Sequence, residues 1–220
     1  MMLDSGDGST GLEVAQPAAF TLDAQSNAAI DVWVAKYPPG RQASVVITAL
    51  YEAQKQMFRD TGSAWLPTVA MDAVAARLEM APIRVYEVAT FYLMFNTTPI
   101  GRYHLQVCST TPCWLRGSDA VTAACRAETG ITGWHQTSTD KMFTMTEVEC
   151  LGACVNAPIL QVDDDYYEDL DGPRTTELLQ ALRRGERPKP GSTIGRQTSA
   201  PEGGATTLLD VPAHNHVPAE

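Results

Sequence analysis

Four of the five cysteines stand in two unequal pairs, Cys108-x4-Cys113 and Cys150-x3-Cys154, and no other feature constrains the fold as strongly. Each pair follows a predicted strand, so both fall on loops that can project from one edge of a sheet. Four thiolates gathered there match a single four-thiolate site. Structural zinc favours tighter knuckles, commonly Cys-x2-Cys, in domains too small for a core of their own. Neither pair has that spacing, and a predicted helix and strand lie between the pairs. A thioredoxin-type dithiol needs Cys-x-x-Cys, which is absent. Each iron of a [2Fe–2S] cluster takes two thiolates, so two loop pairs can supply one iron each. The oxidised four-thiolate cluster carries a charge of about −2, which calls for backbone N–H donors at the sulfurs. Gly152 and Ala153 offer little side chain to obstruct such donors. On spacing alone the cluster is favoured, and a zinc-stabilised module without redox activity stays open.

The rest of the chain supplies two compact regions for this site. Ile30, Trp33, Val34 and Tyr37 repeat at helical spacing before Pro38-Pro39-Gly40. Ile47, Leu50, Tyr51, Met57 and Phe58 stripe a second helix that stops near Gly62. Met71, Val74, Ala75 and Leu78 mark a third, with Thr68 as its expected N-cap. Pro82 opens a fourth, carrying Val85, Val88, Ala89 and Tyr92. These stripes predict a helical bundle over 21–96. Phe91, Tyr92 and Phe95 share the spacing and are expected in its core.

From 97 to 184 the pattern is different. Tyr103, Leu105 and Val107 alternate with polar neighbours, a strand signature. A helix over 114–129 follows, then a strand over 142–149. A hairpin is expected around Asp163-Asp164-Asp165, and a last helix carries Leu178, Leu179 and Leu182. The order β-α-β-β-β-α predicts an α/β layer with a four-stranded sheet, so the whole chain reads as α+β. Residues 1–20 read as a flexible acidic lead. Residues 185–220, rich in Pro, Gly, Ser and Thr, read as an extended tail that docks on partner subunits.

Composition excludes several classes. Net charge is −10, with no cluster of Lys and Arg, so a nucleic-acid surface is not expected. The longest stretch free of Asp, Glu, Lys and Arg, Val88–Gly101, is shorter than the roughly 20 apolar residues of a spanning helix. The acidic, Gly-rich start resembles neither a secretory signal nor a transit peptide. Together with the free-thiol reading, that places the expected home in a reducing compartment. Cys125 has no pair and reads as a small buried hydrophobe. His104 and His135 read as packed or surface histidines, and His214 and His216 as part of a solvated tail. Asp163–Asp171 reads as a solvated hairpin, and Trp114, next to Cys113, as a shield for the metal site.

The stretch Asp140–Pro158, DKMFTMTEVECLGACVNAP, resembles the signature of the small thioredoxin-like [2Fe–2S] subunit family of respiratory NADH:quinone oxidoreductase, complex I. VYEVATFYLMF (Val85–Phe95) resembles that family's helix before the strand domain, and HLQVCSTTPCWLRG (His104–Gly117) its first cysteine loop. GRQTSAPEGGATTL (Gly195–Leu208) resembles the longer alphaproteobacterial and mitochondrial-type tails. The resemblance implies a thioredoxin-like domain with one [2Fe–2S] cluster, of the type called N1a, on Cys108, Cys113, Cys150 and Cys154. It implies one-electron exchange with FMN, both FMN and NADH being bound by a partner flavin subunit. The adjacent large iron–sulfur subunit is a further implied neighbour. No Gly-rich nucleotide loop occurs in this chain, in agreement with that division of labour. The implied location is peripheral, on the cytoplasmic side of the bacterial inner membrane, or the matrix side for a processed mitochondrial form. The same module serves NAD-linked hydrogenases and formate dehydrogenases, which form the alternative.

Overall fold

The computed structural model describes residues 15–204, 206, 207 and 209. The expectations for residues 1–14, for His214 and His216, and for the end of the tail lie outside the described residues. The chain divides into two compact units, residues 1–102 and 103–220. None of the described helices is long and apolar enough to cross a membrane.

The first unit holds α1 (Ala24–Val34), α2 (Val46–Thr61), α3 (Thr68–Leu78) and α4 (Pro82–Phe91). Their apolar stripes meet in one core that contains Ile30, Leu50, Leu66, Met71, Val74, Leu78 and Val85. Burying such side chains stabilises by about 1.5–3 kcal/mol each, which is what holds short helices that would fray alone. Three local expectations need correction. Thr68 is the first helical residue rather than the cap, and its amide donates to Gln16 Oε1 at 2.9 Å. Residues 15–20 are therefore tied to the bundle in part, by Gln16 and by Phe20 packed against the core. Phe91, the last residue of α4, and Tyr92 are 76% and 37% exposed and lie outside the core; Tyr92 is extended (φ −90°, ψ 121°) and ends the helical spacing. Phe95 alone of the expected trio is buried; the loop that carries it is pinned by Gln54, which donates to Met94 O and accepts from Asn96 N.

The second unit is built on a six-stranded sheet, ordered β2-β3-β1-β4-β5-β6. Its strands are β1 (Tyr103–Cys108), β2 (Gln136–Thr137), β3 (Phe143–Val148), β4 (Leu160–Val162), β5 (Asp165–Glu168) and β6 (Gly191–Ser192). β1 runs parallel to β3, with Tyr103 opposite Phe143, and antiparallel to β4. β4 and β5 form the expected hairpin. The expected four-stranded sheet is thus extended by β2 and β6, which have two residues each. Two residues cannot display a period-2 alternation, so no local pattern announces them.

Alternation along β1 sends Tyr103, Leu105 and Val107 into a core shared with Phe143, Met145, Leu160 and Tyr167. Val121 and Cys125 of α6 (Ser118–Thr129) and Leu178, Leu179 and Leu182 of α7 (Gly172–Arg183) complete it. The single helix expected over 114–129 is two: α5 (Thr111–Leu115) precedes α6, and Gly117 between them has φ +98°. An L side chain is strained in that region, and glycine is not. The break detaches the first cysteine loop from the core helix.

Candidate metal centre

Cys108 is the last residue of β1, and the chain leaves the sheet there as Ser109-Thr110. Pro112 sits in the first turn of α5, where its missing N–H costs nothing, and Cys113 follows on that short helix. β3 ends at Val148, and Cys150 and Cys154 come next; Cys154 opens a 3₁₀ turn, Cys154–Asn156. Because β1 and β3 are parallel neighbours in register, both cysteine loops emerge at the same sheet end. Cys108 and Cys113 are buried with Ala157 and Ile159 in a small cluster separate from the main core. Cys150 is exposed and Cys154 half-buried, and all five thiols are free.

The sulfurs form two pairs. Cys150 Sγ and Cys154 Sγ lie 3.3 Å apart, and Cys113 hydrogen-bonds Cys108. The two loops also reach each other. Thr110 Oγ1 is 3.3 Å from Cys108 Sγ and also hydrogen-bonds Cys150, while the Leu151 amide donates to Cys108. The Gly152 amide is 3.4 Å from Cys150 Sγ, and the Ile159 amide donates to Cys113. Tyr166 Oη donates to Leu151 O at 2.9 Å, which steadies the second loop from β5.

These contacts divide each pair electrostatically. Burial raises the Cys108 thiol, but donors from Thr110, Leu151 and Cys113 outweigh it and bring it below its ordinary value. Burial and the hydrogen bond to Cys108 push Cys113 up to about 12. The Gly152 amide, then Cys154, draws Cys150 down; the hydrogen bond to Cys150, with burial, raises Cys154. In each pair one thiol is therefore drawn below its ordinary value and its partner is raised.

The donor set fits a [2Fe–2S] cluster. It offers four thiols in two pairs, with main-chain amides directed at sulfur from both loops. Among the described residues, no three His, Cys, Asp or Glu side chains are grouped so as to hold a single metal ion. Two irons, each on its own pair, ask for the paired arrangement seen here. Thr110, Tyr166 and the Leu151 amide escaped the sequence reading, which anticipated main-chain donors only around Gly152 and Ala153.

Other expectations divide. Cys125 is buried in the main core, where burial pushes its thiol up to about 12. His104 is buried and hydrogen-bonds Thr146 Oγ1 through Nε2 at 2.8 Å. Trp114 is 58% exposed, so it does not seal the site within this chain. The acidic run is not uniformly solvated: Asp164 is exposed, but Asp169 is buried against Arg196.

A thioredoxin-like sheet carrying two thiol pairs at one end defines a ferredoxin-type metalloprotein. The chain belongs to the thioredoxin-like [2Fe-2S] ferredoxin family, which it matches over residues 30–183. It is 45% identical over 164 residues to the E subunit of NADH-quinone oxidoreductase from Rickettsia conorii, covering 74% of this chain and 95% of that one. It is 41% identical over 193 residues to NADH dehydrogenase [ubiquinone] flavoprotein 2, mitochondrial, of Dictyostelium discoideum, covering 88% and 76% respectively. Among solved structures, an NAD+-reducing [NiFe]-hydrogenase in the H2-reduced state is similar in fold, with a TM-score of 0.54 and 19% identity. That likeness covers 64% of this chain and 22% of the hydrogenase chain.

Proposed function

We propose that this chain is an electron-transfer subunit of an NADH:quinone oxidoreductase, holding one [2Fe–2S] cluster on Cys108, Cys113, Cys150 and Cys154. The observation that carries this reading is the convergence of two thiol pairs, with Thr110, Leu151 and Gly152 donating to sulfur. When bound, the cluster supplies a one-electron acceptor and donor. The work of the chain is to hold it. Cys108 and Cys113 bind from the buried side and Cys150 and Cys154 from the exposed side. The amides of Leu151 and Gly152 lie where negative charge on sulfur increases on reduction. Cys150, the exposed thiol, leaves an approach for a redox partner.

The partner in this reading is a flavin subunit that would bind NADH and FMN, and from it this chain would accept one electron. The relatives named as belonging to NADH-quinone oxidoreductase and NADH dehydrogenase support the hetero-oligomeric setting. A peripheral position at the membrane, beside the flavin subunit and the large iron–sulfur subunit, belongs to the same reading. The domain limits proposed are 21–96 for the helical region and 97–184 for the body of the cluster domain, with the end of the tail against partner subunits. A role in an NAD-linked hydrogenase is the second reading, motivated by the fold likeness at 19% identity. The 45% identity to the Rickettsia conorii protein over most of both chains favours the first.

The test is anaerobic purification, iron and sulfide analysis, and EPR before and after dithionite. Two irons and two sulfides per chain, with a signal only after reduction, are expected. One zinc per chain and no signal would overturn the electron-transfer reading.

A further inference from the structure

The segment after α7 contains a deeply buried charge. Arg196 and Asp169 form an ion pair whose side chains are 7% and 3% exposed. Asp169 directly follows β5, and Arg196 lies past the helical and sheet elements, in a stretch whose composition reads as an unfolded tail. A buried ion pair adds less stability than well-packed apolar side chains of the same volume, but it demands one geometry. The surrounding contacts show what that geometry holds.

Arg196 reaches Asp169 Oδ1 through Nη2 and, through Nη1, donates to Val155 O at 3.3 Å and Ala200 O at 3.4 Å. Val155 is the residue after Cys154, in the 3₁₀ turn. Asp169 Oδ2 accepts from Ser192 Oγ at 2.6 Å, and that same oxygen of Ser192 accepts from Arg196 N at 3.2 Å. The Asp169 amide donates to Asn156 O at 2.7 Å, on the same turn. Asn156 Nδ2 in turn donates to Thr198 O at 2.7 Å and to Glu168 Oε2 at 2.5 Å. Residues 191–200 thus form a strap, anchored by β6 on β5, that grips both residues following Cys154. This stretch docks on the chain itself, on β5 and on the turn after Cys154.

We propose that Arg196 is a positioning residue for the metal centre: by joining Asp169 to the Val155 carbonyl, it fixes the turn that presents Cys154. The strap is then a functional part of the cluster domain, which extends to about Ala200 rather than ending with α7. This inference rests on the cluster reading for its redox consequence, while the clamp itself is a property of the polypeptide. The guanidinium is suited to the task because its planar fork binds a carboxylate and a carbonyl together; an ammonium keeps the charge but loses the fork.

The experiment uses the full chain in four forms: wild type, Arg196→Lys, the double variant Asp169→Asn with Arg196→Gln, and Arg184→Gln. The last removes an exposed ion pair and serves as control. Lys keeps the buried carboxylate paired, and the double variant removes both charges, so neither leaves a lone buried charge. Two readouts are compared: release of the cluster to a ferrous chelator, with the EPR line shape of the reduced protein, and hydrogen exchange of the Asn156 and Ala157 amides in the metal-free chain. These amides close the turn on Ala153 O and Cys154 O. Arg196→Lys and the double variant are expected to release the cluster about tenfold faster, with an altered EPR line shape and comparably faster exchange. Behaviour identical to Arg184→Gln in both readouts would overturn the proposal. If the wild type takes up no cluster, the function reading falls and exchange alone decides: acceleration sustains the clamp, and no change removes it.

Discussion

Gly152 lies between Cys150 and Cys154 with φ +80°, and a Cβ built there meets nothing within 4 Å. The sequence predicts that a side chain here would block amide donors to sulfur. Space is open instead, and the requirement comes from the main chain, which takes a left-handed conformation to point the Gly152 amide at Cys150 Sγ. The cysteines themselves give a sharp contrast. Cys150→Ser should abolish or strongly weaken the EPR signal, because it removes one of the proposed thiolates. Cys125→Ser should leave that signal unchanged and cost about 1–3 kcal/mol of stability in denaturant melts, since a hydroxyl replaces a buried thiol. Equal loss of signal in both variants would remove the ligand assignment. His104 sets a pH dependence. Burial, with the nearby charge of His135, lowers its pKa from 6.5 to about 4. The folded state therefore holds the neutral ring, and the unfolded chain binds the proton first as pH falls. This stability is complete above about pH 6.5 and is lost progressively down to about pH 4, by about 3 kcal/mol in total. Denaturation midpoints followed over that window should fall in the wild type, with a shallower fall in His104→Gln.

Helix ends and strand ends carry much of the positioning. α7 is capped by Asp171, whose carboxylate accepts from the Arg174 amide at 2.8 Å and satisfies one of the first-turn donors. Asp171→Ala should lower stability by about 1 kcal/mol in urea melts while the reduced-cluster spectrum persists, because α7 contributes to the main core and not to the thiol cluster. An unchanged midpoint would mean that the cap is not contributing. The stripes of α2 and α3, the alternation of β1 and the proline start of α4 were legible because each is a local pattern with its own period. The division of 111–129 into α5 and α6 was not. Its sequence is compatible with one continuous helix apart from Gly117, and an isolated glycine in a helical pattern has no unique reading.

At the scale of the molecule, all four paired cysteines, both loops and the strap belong to the second compact unit. A chain covering residues 97–204 should therefore fold and take up iron and sulfide at the same ratio as the full chain, measured by metal analysis and visible circular dichroism. Failure of that fragment to fold would show that the helical unit is required for the second unit's stability. Ending the same fragment at residue 184 should accelerate cluster loss, since it removes β6 and Arg196. The thiol spacing, the helical stripes and the alternation of β1 follow from the order of residues, because each reports a short-range regularity, of 2.0 or about 3.6 residues for the strand and helices. Other features arise only when distant segments meet. The Leu151 amide bonds Cys108, Gln16 receives the Thr68 amide across 52 positions, and Arg196 pairs with Asp169 across 27. Such bonds have no period, and each polar side chain has many chemically adequate partners along the chain. Only the packing that buries one donor beside one acceptor, and excludes water from both, selects the pair that forms.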